Sequence, residues 1–231
     1  MMRRFAREQS LSLAFLGLFL LALAGQAVAG WEDYNNDEVW HARLMHEPAE
    51  TIGFGRYLRT SSFAQAVTEN WQSEYLQFTL FILLTIWFVQ RGSPESKEIG
   101  QEGTESDADQ AVGAHIKPRS PRWAKAGGWR LMLFSNSLVL VMALIWIWSW
   151  FAQSVSGWSE HNAELLEHEQ PALSWLGYLG SADFWQTTLQ NWQSEFLAVG
   201  SMAVLSIYLR QRGSPESKPV GAAHSDTALE G

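Results

Sequence analysis

The residues best placed to do chemistry are two glutamates, Glu74 and Glu195, each at the head of an apolar run. Glu74 precedes residues 75–90 and Glu195 precedes 196–209, stretches without a single charge. An ionisable group at the edge of a hydrocarbon layer is costly to place there, so it marks a functional candidate. Polar partners recur around both: Asn70 with Asn191, Gln72 with Gln193, Ser73 with Ser194. Gln26 and Gln153 stand at the ends of two further apolar runs. Gathered into one polar membrane cluster, two close carboxylates would raise one pKa and could share a proton or hold a cation. The plainer reading is a hydrogen-bonded cluster that fixes helix register, and nearness to the interface favours it.

Histidines form a second constellation. His41 and His46, then His161 and His168, lie among acids in HARLMHEPAE and EHNAELLEHEQP. Imidazole with carboxylate can ligate zinc or another transition metal. Spacings of five and seven are not those of H-E-x-x-H, so these four are weak candidates and no metal or other cofactor is expected. The chain has no cysteine, which excludes disulfides, thiolate metal sites and cysteine nucleophiles. No phosphate loop, nucleophile elbow or triad pattern occurs, and no catalytic residue is assigned.

The elements that must position these residues are apolar helices. Charge-free runs cover 11–29, 131–151, 75–90 and 196–209. The first two are 19 and 21 residues long, enough for a hydrocarbon core of about 30 Å at about 1.5 Å per residue. The other two are short alone, but Trp71 and Trp192 before them and Arg91 and Arg210 after them extend the reach. Four spans follow, at about 11–29, 72–91, 131–152 and 193–211. Arg and Lys cluster before the first span, between the second and third, and after the fourth, while the loop between spans three and four has none. Both termini and the middle loop are therefore expected in the cytoplasm. The net charge of −8 comes largely from the outer loops. No basic stripe interleaved with aromatics points to nucleic acid. The 13 tryptophans fall mostly where aromatic belts are expected.

The spans come in two copies. NWQSEYLQFTLFILLTIWFVQRGSPESK at 70–97 and NWQSEFLAVGSMAVLSIYLRQRGSPESK at 191–218 share 16 of 28 residues without a gap. GQAVAGW at 25–31 pairs with AQSVSGW at 152–158, and Ser10-Leu11 with Ser137-Leu138, at an offset of 127. The start also fits a secretory signal, with Ala27-Val28-Ala29 as a cleavage site. Its internal copy cannot be a signal, so a retained first span is expected over a cleaved leader at 1–29. The domains are then a hairpin at 1–98, a cytoplasmic linker at 99–128, a second hairpin at 129–218 and a disordered tail at 219–231. Two spans per half give both halves the same orientation, a parallel repeat. Ser62 and Asp183 are expected to cap the second helix of each half. Gly92 and Gly213, followed by Pro94 and Pro215, are expected to stop them, with S-P-E-S opening a short helical turn.

The pattern S-L-x9, apolar run, G-Q-A-x-x-G-W, then Y-L, N-W-Q-S-E-F/Y-L and R-G-S-P-E-S-K resembles an uncharacterised family of bacterial integral membrane proteins of unknown function. The resemblance covers both halves and leaves out mainly the linker and tail. It implies an all-α, multi-pass protein of the bacterial inner membrane and no assigned chemistry. The expected fold is a four-transmembrane-helix bundle with a non-enzymatic structural or accessory role. The alternative is a small ion or proton channel or transporter using Glu74 and Glu195. Expected partners are the lipid bilayer and either a second copy or another membrane protein.

Overall fold

The computed structural model describes residues 2–46 and 48–229; the last two residues of the tail segment lie outside the described residues. Among the described residues there are eight α-helices and no strand. They are α1 (Met2–Glu8), α2 (Ser10–Met45), α3 (Phe54–Tyr57), α4 (Ser61–Trp87), α5 (Trp129–Ser135), α6 (Ser137–Glu167), α7 (Trp175–Leu179) and α8 (Ala182–Tyr208). Two of them, α2 and α6, are long and apolar enough to cross a membrane. Both continue as helix well past their apolar runs, so much of what reads as outer loop is helical. Each is preceded by a break, at Gln9 and at Asn136, where φ is −115° and −110°. At Asn136 the side chain donates to the Met132 carbonyl, competing with the backbone ladder.

Identical joints close the α2–α3 and α6–α7 connections. Trp31 Nε1 and Asn35 Nδ2 donate to the Ile52 carbonyl, and the Ile52 amide donates to Asn35 Oδ1. Trp158, Asn162 and Leu173 make the same three bonds. Just beyond, the buried Tyr57 and Tyr178 seat their hydroxyls on Gly30 and Gly157, where any Cβ would overlap them. Only glycine lets the ring approach the helix so closely.

Three sequence expectations are corrected at the helix ends. The N-caps are Thr60 and Ser181, whose hydroxyls accept from the Phe63 and Phe184 amides at 3.3 and 3.2 Å. Ser62 and Asp183 fall inside the first turn, where Asp183 still favours the helix dipole. The helices stop at Trp87 and Tyr208, before the glycines, with Phe88 and Leu209 extended. The cause is a serine-closed turn rather than a glycine cap. Ser96 Oγ accepts from the Gln90 amide and Ser217 Oγ from the Gln211 amide, at 2.7 and 2.9 Å. Gly92 and Gly213 supply the left-handed step inside that turn, at φ 86° and 84°. S-P-E-S is part of the same turn and forms no helix.

Around the bundle centre, α4 packs along α6 and, beside it, against α8. Aromatic contacts tie α6 to α8: Trp150 lies 6.0 Å from both Phe184 and Trp192. Helix α2 meets the rest more sparsely, through Phe19 against Trp71 and through its outer end.

The two serine turns lie together at the opposite end. The Gly92 amide donates to Thr227 Oγ1, and the Ala228 amide donates to the Ser93 carbonyl. Lys218, 1% exposed, donates to the carbonyls of Ala223, His224 and Asp226 at 3.1 Å each. The segment read from composition as a disordered tail thus folds back over the first turn. Its part-buried neighbour Glu95 has its carboxyl pushed above the usual range, by burial first and then by the charge of Glu216. A carboxyl raised in the fold binds its proton more tightly there than in the unfolded chain. Stability is therefore gained as pH falls through the raised value toward the ordinary one, about 4.3, and lost as pH rises. Glu95→Gln is expected to raise the thermal midpoint at pH 7 and flatten its dependence between pH 7 and pH 5. An unchanged pH dependence would remove Glu95 from this role.

Candidate functional site

The polar residues divide between two places, an open acidic cavity and a closed polar layer. The cavity has a volume of about 750 Å³ and lies between the outer half of α2, the start of α4 and the outer half of α6. Asp33, Asp37 and Glu38 face it from α2, and Glu160, Glu164 and Glu167 from α6. Gln26 lines it, exposed. Among the described residues that line it, the basic side chain is His41, whose Nδ1 lies 2.6 Å from Glu167 Oε1. Hydrogen bonding to Glu167 and its charge raise the His41 pKa. His161 Nδ1 sits 3.8 Å from Asp183 Oδ2, while His46 and His168 end α2 and α6 as their C-caps. The four histidines are thus spread over separate carboxylates and helix ends. Among the described residues, no group of three His, Cys, Asp or Glu is arranged to hold a metal ion.

The closed layer lies where α4, α6 and α8 meet. Ser61 Oγ donates to Glu160 Oε2 at 2.7 Å, which sets the antiparallel register of α4 on α6. Counting inward from that bond, Thr68 comes level with Gln153, and Gln72 with Ser149. All four are buried, Gln72 and Ser149 at 0% exposure. On the α8 side, Trp192 Nε1 donates to Gln72 Oε1 at 2.7 Å, and Asn191 Nδ2 to Glu69 Oε1 at 2.7 Å. Thr188, one turn earlier on α8, is also fully buried.

The expected cluster is therefore split. Gln153 and Ser73 are buried, Ser73 donating to the Asn70 carbonyl of its own helix. Asn191 is part-buried, and Glu195 is part-buried within the field of Glu74. Glu74, Asn70, Ser194 and Gln26 are exposed. Sequence reading did not pick out Glu69, Ser149 or Thr188. Their signal was helical spacing: Glu69 lies three residues before Gln72, Ser149 four before Gln153, and Thr188 four before Trp192.

Side-chain polarity runs inside out along these helices. Leu11, Phe15, Leu18 and Leu21 of α2 and Leu138, Val141, Leu144 and Ile147 of α6 are exposed, while serine, threonine and glutamine fill the contacts. Small and polar residues at helix contacts with apolar ones outside are the pattern of helices packed in lipid. The class is thus an all-helical protein with two helices able to span a membrane. The chain belongs to the family described as Domain of unknown function (DUF6766), whose model matches residues 2–229. No curated protein and no solved structure matches it.

Proposed function

We propose that the chain is a four-span protein of the bacterial inner membrane, built from two duplicated helical hairpins, with a non-enzymatic, accessory role. The observation that carries this is the register of α4 on α6. With Ser61 opposite Glu160, the end of α4 at Trp87 comes level with Phe134 of α5, near the start of the apolar run 131–151 that continues into α6. If α6 crosses the bilayer, α4 crosses beside it although its own apolar run is short. α8 runs parallel to α4, held through Gln72 and Asn191. The joints at Gly30–Tyr57 and Gly157–Tyr178, with their matched hydrogen bonds, support duplication of the hairpin. The Arg-rich ends and the acidic opposite face support a cytoplasmic placement of both termini.

A second reading is a proton or cation path past Glu74 and Glu195, favoured by the part-burial of Glu195 at the head of its apolar run. Flux in proteoliposomes that Glu74→Gln with Glu195→Gln abolishes would establish it; equal flux in the double variant would dismiss it.

The absence of cysteine makes the topology directly testable. A membrane-impermeant maleimide applied to intact cells is expected to label Glu169→Cys and to spare Gln110→Cys. Labelling of Gln110→Cys from outside would overturn the orientation.

A further inference from the structure

The closed layer between α4, α6 and α8 holds polar atoms that no protein group satisfies. Gln72 Nε2, Ser149 Oγ, Gln153 Oε1 and Thr188 Oγ1 are all buried without a hydrogen-bonding partner in the chain. Their residues are at most 2% exposed. The indole N–H of Trp150, on the same helix as Ser149 and Gln153, is likewise buried and unpartnered. Such atoms are rare in folded proteins, and a single isolated one can be a local imperfection. Here they come from three helices within two adjacent turns, Gln72, Ser149 and Trp150 on one and Gln153 and Thr188 on the next, placed by the Ser61–Glu160 bond on one side and by the Trp192–Gln72 bond on the other.

The chemistry of the set identifies its ligand. The Trp192 N–H requires an acceptor, which fixes Gln72 Oε1 toward α8 and leaves Nε2 as a spare donor. The Gln153 amide, which no other bond orients, can turn oxygen or NH2 to the layer, the two hydroxyls act either way, and the Trp150 indole only donates. A cation would meet two obligate donors, and an anion would be buried beside the Glu69 carboxylate with no cationic side chain in the set to balance it. A ligand that both donates and accepts satisfies all five. We propose that this layer binds a small cluster of ordered water molecules bridging α4, α6 and α8.

The cluster accounts for the packing of the central helices. Side chains too far apart to bond directly are joined through bridging water nearly as well as by direct bonds. Left dry, each of these atoms would carry the full desolvation cost of an unmade hydrogen bond. The layer is also specific to one place in the repeat. At the offset of 127, Gln153 and Ser149 correspond to Gln26 and Ala22, and Gln26 faces the open cavity instead. At the offset of 121, Gln72 corresponds to Gln193, which is exposed.

The test is X-ray hydroxyl-radical footprinting of the full chain in lipid nanodiscs, in water enriched in oxygen-18. Radicals made from bound water oxidise the side chains beside it. Trp150 is expected to take up oxygen-18 several-fold faster than Trp148, which lies two residues away on the outward face of α6 and is 58% exposed. Gln153→Leu is expected to bring the Trp150 rate down toward that of Trp148 while leaving Trp31 unchanged. Trp150 labelled no faster than Trp148 in the native chain would overturn the proposal, as would an undiminished Trp150 rate in Gln153→Leu. The Trp148 comparison rests on the membrane reading, and failure of that reading is visible separately, as Trp148 labelled as fast as tryptophans of the outer loops.

Discussion

The contact between α4 and α6 is the interaction on which the other packing depends. It joins the second helix of the first half to the first helix of the second, so it crosses the linker and not a tight hairpin loop. Two apolar helices gain little from each other in lipid, because lipid tails are equally apolar. What holds such a pair is close approach and hydrogen bonding, and the buried residues of α4 and α6 accordingly include Thr68, Gln72, Ser73, Ser149, Gln153 and Ser156. α8 then rests on the pair through Trp150 and Trp192, and α2 through its outer end.

That arrangement gives identical stretches of sequence different surroundings. α4 and α6 are central, while α2 and α8 flank them. NWQSE in α4 therefore buries its glutamine, and NWQSE in α8 leaves it exposed. Gln153 is interior and Gln26 lines a cavity. What remains equal in the two copies is whatever works within one half: the tyrosine seated on glycine, the tryptophan–asparagine clamp, and the serine-closed turn. What differs is whatever depends on the neighbour across the middle.

This division also decides what could be read from the sequence. The apolar runs, the number of long helices and the all-helical class follow from hydropathy, because each helix states its own length. The helix ends differ from the reading because the capping Thr60 and Ser181 lie two residues before Ser62 and Asp183, and because Ser96 and Ser217 stop the chain by reaching back six residues. Glu74 drew attention by its position in the phrase, yet its side chain is exposed and Glu69 is the one bonded across to Asn191. An internal repeat tells which residues are equivalent. It cannot tell which copy faces inward, since that depends on which halves pair. The acidic cavity was equally illegible, because its carboxylates come from α2 and α6, more than 120 residues apart.

Cysteine crosslinking in native membranes tests the central pairing most directly. With Gln72→Cys in the cysteine-free chain, the account predicts disulfide formation to Ser149→Cys on α6. It predicts none to Ala22→Cys, the residue of α2 that corresponds to Ser149. A crosslink from 72 to 22 without one from 72 to 149 would contradict it, since α4 would then pair within its own half.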